Sequence, residues 1–484
     1  MGLTAVITGG TLVFPWGTMP GGLAIQEGRI AALLAPGEIP PASQVIDARG
    51  HLIFPGLVDV HTHLRDPGQT HKEDFASGTA AAAAGGFTMV VAQPNTVPPI
   101  LDPDSFRLTR DRGERLAIVD FSVTALATPR NLSELAALAK LGAASFEVLL
   151  ADAPPELLSA SSDDVSRVLL AIAAAGGLAG VYAEEASVVA GLRAEETGND
   201  LAAFLRTRPA FTEALAVARV LELVRATRVR AHLRQISTGA AVQALRRAKA
   251  AFTLPAALAS QTHLAPQAGL TPRAGLVSGA QIAQARLTVE VNPHHLFLTA
   301  DDLPRLGPYG LVLPALRGRA DQEGLWAGIA NGTVDLIATD HAPHTREEKE
   351  AGRNSVWQAP CGVPGLETAL PLCLTAVRRG QLGLPDVARL LAWAPSRRFG
   401  FFPRKGALLP GADADVVIAD PDRVIEVRGE ALHSRARQTP FEGWTLYGAP
   451  VLTMVRGRIV YEEGKVTGEP GWGRFVAPSQ EAPG

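Results

Sequence analysis

The sequence predicts an α/β protein: a (β/α)8 TIM barrel over residues 56–404, with a small β-sandwich built from both ends of the chain, residues 1–55 and 405–466. Three observations carry this. Apolar, β-branched runs such as FTMVVAQ and VDLIATD alternate with helical stretches such as EDFASGTAAAAAGG and TEALAVARVLELVRA, the rhythm of buried parallel strands separated by helices. That rhythm lasts about 350 residues, which suits a closed barrel better than a short open sheet. The two ends share a different texture, short β-rich runs punctuated by glycine, as in LTAVITGG and in APVLTMVRGRIVYEEGK.

No GxGxxG follows any strand, which argues against a dinucleotide-binding domain. The segment 251–285 has poor periodicity and is rich in Ala, Gln, Gly and Pro, so it is expected as a surface insertion. The Gly/Pro-rich tail, 467–484, is expected to be flexible. Over 484 residues, 47% hydrophobic and 19% charged, the chain can bury a large core. A net charge of −3 without a basic stripe excludes a nucleic-acid partner. No apolar run is long enough for a membrane span. The opening residues MGLTAVITGGTLVF lack a charged n-region and a cleavage site, and Val6 breaks the myristoylation pattern. Two cysteines, Cys361 and Cys373, are too few for a disulfide framework or a thiolate zinc site. They point to a cytoplasmic protein and push any metal toward His and carboxylate ligands.

Two motifs carry chemistry. In FPGLVDVHTHLRDPG (54–68), His61 and His63 end an apolar strand two residues apart, so in extended chain both project from one face. At the C-terminal end of a barrel strand that face looks into the mouth, where two imidazoles can hold a divalent metal. In VDLIATDHAPH (334–344) a second apolar strand ends in Asp340, with His341 and His344 in the same turn. Asp340 can ligate the metal and also move a proton; the plainer alternative is a turn or helix N-cap aspartate.

Longer motifs surround these two. HTHLRDPGQTHKEDFASGTAAAAAGGFTMVVAQPNTVPPILD (61–102), EVNPHHLFLTADDLPRLGP (290–308), TDHAPHTREEK (339–349), GVPGLETALPL (362–372) and TPFEGW (439–444) occur in this order. Together they resemble the dihydroorotase branch of the cyclic amidohydrolases, closest to the dihydroorotase domain of the multifunctional animal pyrimidine-synthesis protein. Allantoinases and hydantoinases are more distant relatives. The resemblance implies reversible, metal-dependent hydrolysis of a cyclic amide, dihydroorotate to carbamoyl aspartate, in pyrimidine synthesis. It implies His61, His63 and Asp340 as ligands of the first metal, with Asp340 also the catalytic proton carrier. Arg65 would clamp the substrate carboxylate, while Asn95 and His344 would hydrogen-bond the substrate. The plainer readings are a salt bridge from Arg65 to Asp66, a turn residue at Asn95 and a loop histidine at His344. The family also implies a homo-oligomer or association with a pyrimidine-synthesis enzyme.

Four positions depart from the family. Glu147 stands where relatives carry a carboxylated, metal-bridging lysine; it keeps the anionic oxygen but not the reach. Tyr182 and Gln235 replace imidazoles of the second metal, and Leu313 replaces a polar substrate-binding residue. His232 lies three residues before Gln235 and should face the other side of its strand. The expectation is therefore one zinc, or another divalent metal, per chain, held by His61, His63 and Asp340, with Glu147 as a further ligand that bridges only if its backbone moves inward and otherwise serves one metal alone. Two other readings remain: a non-catalytic dihydroorotase-like scaffold, and a single-metal hydrolase for another cyclic amide.

Overall fold

The structure, a computed structural model, describes residues 2–259 and 287–479. The two ends of the chain join in one nine-stranded sheet. Leu3–Phe14, Gly17–Gln26, Arg29–Leu34, Ala42–Asp47 and Leu52–Pro55 come from the N-terminal side. Val416–Glu426, Thr445–Val455, Arg458–Glu462 and Lys465–Val466 come from the C-terminal side. The seam is antiparallel, with Val416 opposite Pro55 and Ala419 opposite Leu52. Alternation buries Ile7, Leu23, Ile25, Ile53, Val416, Ile418 and Met454 in one apolar cluster, as a one-sided sheet requires.

Between these ends lie the parallel strands. In chain order they are β1 (Leu57–Thr62), β2 (Phe87–Ala92), β3 (Asp120–Val123, continued by Ala125–Leu126), β4 (Phe146–Leu149), β5 (Leu178–Tyr182), β6 (Arg230–Leu233), β7 (Leu287–Val291) and β8 (Leu336–Ile337). Each pairs with the next in parallel register, for example Glu147 with Gly180, Gly180 with His232 and His232 with Thr288. Just beyond β8, His341 bridges in parallel to Thr62 of β1, and the His63 amide donates to the His341 carbonyl at 2.8 Å. The strands are apolar on both faces. Val90 and Ala92 join the large cluster shared with the helices. Met89 and Val91, one residue out of phase, pack with Val58, Leu336 and Phe399.

The helices start where their caps dictate. Asp102 accepts from the amides of Asp104 and Ser105 ahead of Pro103–Leu116. Ser161 and Asp164 form a reciprocal capping box on Ser162–Ala174. The predicted TEALAVARVLELVRA helix is Ala210–Thr227, stopped by left-handed Arg228.

One sequence expectation falls largely outside the described residues, and another needs revising. Helix Gly239–Ala259 runs on into the segment expected to be an insertion, whose remaining residues, 260–285, lie outside those described. The tail is not free as far as residue 479. Phe475 bridges Phe121 in parallel, Val476 donates its amide to the Phe121 carbonyl at 2.8 Å, and the Phe475 ring packs edge-on against Phe106 and Phe121. Glycine and proline dominate its composition, but Trp472, Phe475 and Val476 supply enough apolar surface to dock it. No helix among the described residues is long and apolar enough to cross a membrane.

Candidate metal centre

The C-terminal ends of the strands open onto a cavity of about 390 Å³, lined among others by His61, His63, Arg65, Asn95, Asp340 and His344. The sequence motifs converge there through local devices. The β1–β2 register slips between Asp59 and Thr62, a bulge that re-aims the end of β1. Asp59 is fully buried and ties the two motif strands together: its carboxylate accepts the Thr339 amide at 2.8 Å and the Thr339 hydroxyl at 2.6 Å. Arg65, Gln235 and Asp340 all have left-handed backbones, at φ 60°, 53° and 46°. Such conformations are costly for non-glycine residues and concentrate at functional sites.

His61, His63 and Asp340 each offer a ligand atom within 4.8 Å of the others. Asp340 Oδ1 lies 3.1 Å from His63 Nε2 and 3.4 Å from His61 Nε2. Both imidazoles are held from behind. His61 Nδ1 meets Glu290 Oε1 at 2.6 Å, and His63 Nδ1 meets Asn95 Oδ1 at 2.7 Å. Such a partner fixes the tautomer that leaves Nε2 for a metal. Burial alone would lower the His61 pKa, but Glu290 and Asp340 outweigh it and hold it at about 9. Burial dominates at His63, which is pushed down to about 4 despite Asp340. Burial would raise the Asp340 pKa, but His61 and His63 keep it below the usual carboxylate range. Two imidazoles, one carboxylate and an open side toward the cavity make a donor set suited to a divalent cation.

Glu147 does not join this trio. Its carboxylate, expected as a metal ligand, pairs with the guanidinium of Arg234 and lies outside the group of three close ligand atoms. Tyr182 places its hydroxyl 2.6 Å from both Asp152 and Glu184, and burial next to those carboxylates drives its pKa well above 10. Gln235 spends its amide nitrogen on Asp340 Oδ2 at 2.8 Å and on the Leu313 carbonyl at 3.0 Å. His232 is not on an outer face. It meets Glu290 Oε2 at 3.0 Å and Thr288 at 2.8 Å, while the left-handed turn at Gln235 sends that later residue into the cavity.

The predicted substrate residues also gather at the cavity. Arg65 Nη2 lies 3.2 Å from His344 Nε2, and the buried Arg65 Nε has no partner among the described residues. Burial lowers the Arg65 pKa to about 10, so the side chain remains cationic at neutral pH. His344 sits 3.0 Å from the Cys361 carbonyl and 3.3 Å from Lys72 Nζ. Burial, then the charges of Arg65, Lys349 and Lys72, keep it neutral. His341 turns away to Glu73 and the Gly365 amide. Two groups escaped the motif reading. Glu290 sits inside the quoted EVNPHH motif but had no assigned task, and no local pattern flagged Arg234.

Residues 50–241 match the family described as Dihydro-orotase-like, and residues 206–460 match the Amidohydrolase family. The chain is 36% identical over 460 residues to a dihydroorotase of Methanosarcina mazei, covering 94% of each chain. It is 32% identical over 461 residues to an L-hydantoinase of Paenarthrobacter aurescens, covering 94% of this chain and 93% of that one. Among solved structures, the L-hydantoinase (dihydropyrimidinase) of Arthrobacter aurescens superposes with a TM-score of 0.89 at 31% identity, over 98% of this chain and 100% of the other. With the fold and the convergent His61, His63 and Asp340 in place, these matches establish that the chain belongs to the dihydroorotase-like amidohydrolase family.

Proposed function

We propose that this cyclic amidohydrolase works as a dihydroorotase with one divalent metal, zinc or a similar ion, held by His61, His63 and Asp340. We also assign it a closed (β/α)8 barrel and a terminal β-sandwich, with motifs closest to the animal multifunctional type. The His341–Thr62 bridge from β8 back to β1 supports ring closure. Ile30 and Ile459, near opposite ends of the long sheet, share one cluster, which supports a sheet folded onto itself. Two free cysteines support a cytoplasmic placement.

A single observation carries the chemistry: three ligand atoms from opposite ends of the chain meet within 4.8 Å at the cavity. A bound divalent cation supplies Lewis-acid polarisation of an amide carbonyl and a more acidic water. The chain supplies the rest. Asp340, kept ionised by its imidazole neighbours, takes a proton at its carboxylate during ring opening and returns it to the leaving nitrogen. Arg65, cationic and with Nε unpartnered, offers a planar fork to a substrate carboxylate. Asn95 uses its carbonyl oxygen on His63, which leaves its amide nitrogen to donate to the substrate. His344, neutral, orients the substrate beside Arg65.

The alternative of an inactive scaffold draws on a specific observation: Glu147, Tyr182 and Gln235 are all committed to protein partners. Turnover decides between them. Purified protein supplied with zinc or manganese should interconvert dihydroorotate and carbamoyl aspartate, and Asp340→Ala should abolish this while keeping the fold. Folded wild type with no turnover in either direction overturns the dihydroorotase reading. Hydrolysis of a hydantoin in its place would assign the site to another cyclic amide.

A further inference from the structure

We propose that the Arg234 guanidinium is a built-in cation that takes the place of a second metal at Glu147, so the centre is mononuclear by construction. The inference rests on the one-metal hydrolase reading and explains how the fold tolerates the changed positions.

Arg234 follows β6 and is 1% exposed, one of the largest fully buried side chains. Its Nη1 donates to the Glu147 carboxylate and to the Gln93 side-chain oxygen, and its Nη2 donates to Ser145 Oγ at 2.9 Å. Room for it is made by Gly180 on β5. A Cβ at that position would lie 2.4 Å from Arg234 Nε and 2.7 Å from Nη2, closer than packed atoms approach, so any larger residue would expel the guanidinium. A glycine cradle, an amide oxygen, a hydroxyl and a carboxylate thus converge on one cation from β5, the end of β2 and β4.

Charge excludes a second ion there. Glu147 faces the cavity, but its negative charge is already balanced by a guanidinium in direct contact. A dication seated on the same carboxylate would stand within a few ångströms of a fixed positive charge. The other two second-site positions are also spent. Tyr182 is hydrogen-bonded between Asp152 and Glu184, and Gln235 donates its amide nitrogen to Asp340 and Leu313. Arg234 is therefore a positioning residue: it holds Glu147 at the cavity wall and keeps that wall free of metal.

Zinc binding to the full-length protein, read by equilibrium dialysis and elemental analysis, tests this. Wild type should hold one zinc per chain. Glu147→Gln should also hold one, with an affinity within threefold of wild type, because Glu147 serves Arg234 and not the metal. Arg234→Met, which removes the cation but keeps bulk, should admit a second zinc. Two tightly held zincs in wild type overturn the inference, as does a tenfold or greater loss of affinity in Glu147→Gln, or a folded Arg234→Met that stays at one. If Arg234→Met does not fold, the first two counts still decide. Failure of the hydrolase reading registers differently: a wild type that takes up no zinc at all, or an Asp340→Ala variant that keeps its zinc. Either overturns that reading, and this inference falls with it.

Discussion

Replacing Glu290 with glutamine probes the hidden half of the metal centre. Glu290 is completely buried and spans two imidazoles, His61 Nδ1 at 2.6 Å and His232 Nε2 at 3.0 Å. Burial would raise its pKa, but His61 and His232 keep it well below the usual carboxylate range. Glutamine preserves the shape: its carbonyl accepts from His61 Nδ1–H, and its amide donates to His232, whose other nitrogen reaches Thr288. What changes is the charge behind His61. A hydrogen bond to an ionised group contributes about 1.5–3 kcal/mol and a neutral one about 1 kcal/mol, so the deficit is about 0.5–2 kcal/mol. Each 1.4 kcal/mol is tenfold in affinity, so the direct effect is about 10-fold, at the low end of the roughly 10–100-fold losses on changing a ligand's supporting partner. A second effect opposes it. With Glu290 present, His61 keeps its proton up to about pH 9, and a cation must displace that proton at neutral pH. Removing the carboxylate eases that competition. Binding measured at pH 9 by competition with a chelator removes most of the opposing effect. The expected result is a loss of about tenfold or more at pH 9 and a smaller loss at pH 7. Equal affinities at pH 9 would refute the argument that Glu290 sets the tautomer and basicity of His61.

Arg65→Lys loses the planar fork, and one charge-assisted hydrogen bond of about 1.5–3 kcal/mol corresponds to a KM for dihydroorotate raised roughly 10–100-fold; an unchanged KM would remove Arg65 from substrate binding. Lys349 is fully buried and, among the described residues, its Nζ donates to the Leu311 and Pro360 carbonyls, at 3.2 and 2.9 Å. Burial lowers its pKa from 10.5 to about 8. Between those values the unfolded chain keeps the proton that the native state sheds, so native stability rises with pH. Wild type should gain about 3 kcal/mol on Lys349→Met between pH 8 and pH 10.5 in denaturant titrations, and a pH-independent difference would contradict the shift. Phe475→Ala should cost about 2 kcal/mol, below the full cost of a core phenylalanine because the ring is half-buried. It should also open residues 467–476 to limited proteolysis; a tail as resistant as in wild type would mean that Phe475 does not hold it.

The parts of the molecule that could be read from the sequence are those fixed by burial and period. LVDVH and VDLIATD are mostly apolar because both faces of β1 and β8 are covered, and their last residues, His61 and Asp340, had to emerge where the strands end. Other features depend on neighbours distant in sequence. Alternation placed His61 and His63 on one face of extended chain, but the register slips between Asp59 and Thr62, and both imidazoles reach the cavity through that bulge. Alternation put His232 on the wrong face because the left-handed turn at Gln235 has no sequence signature. The departures from the family show the same limit more sharply. Taken singly along the chain, Tyr182 and Gln235 read as lost ligands and Glu147 as a shortened one. In space each belongs to a matched set: Glu147 with Arg234, 87 residues away, and the space left by Gly180; Tyr182 with Asp152, Glu184 and Arg208; Gln235 with Asp340. A centre decaying without selection would be expected to leave buried charges and phenols unpaired, at a cost of several kcal/mol each. Here each of the three changed side chains has a partner, while Arg234 Nε beside Glu147 and Arg65 Nε inside the proposed substrate cleft have none among the described residues. The pairing of all three changed side chains is what the proposed one-metal site requires of the second-metal position.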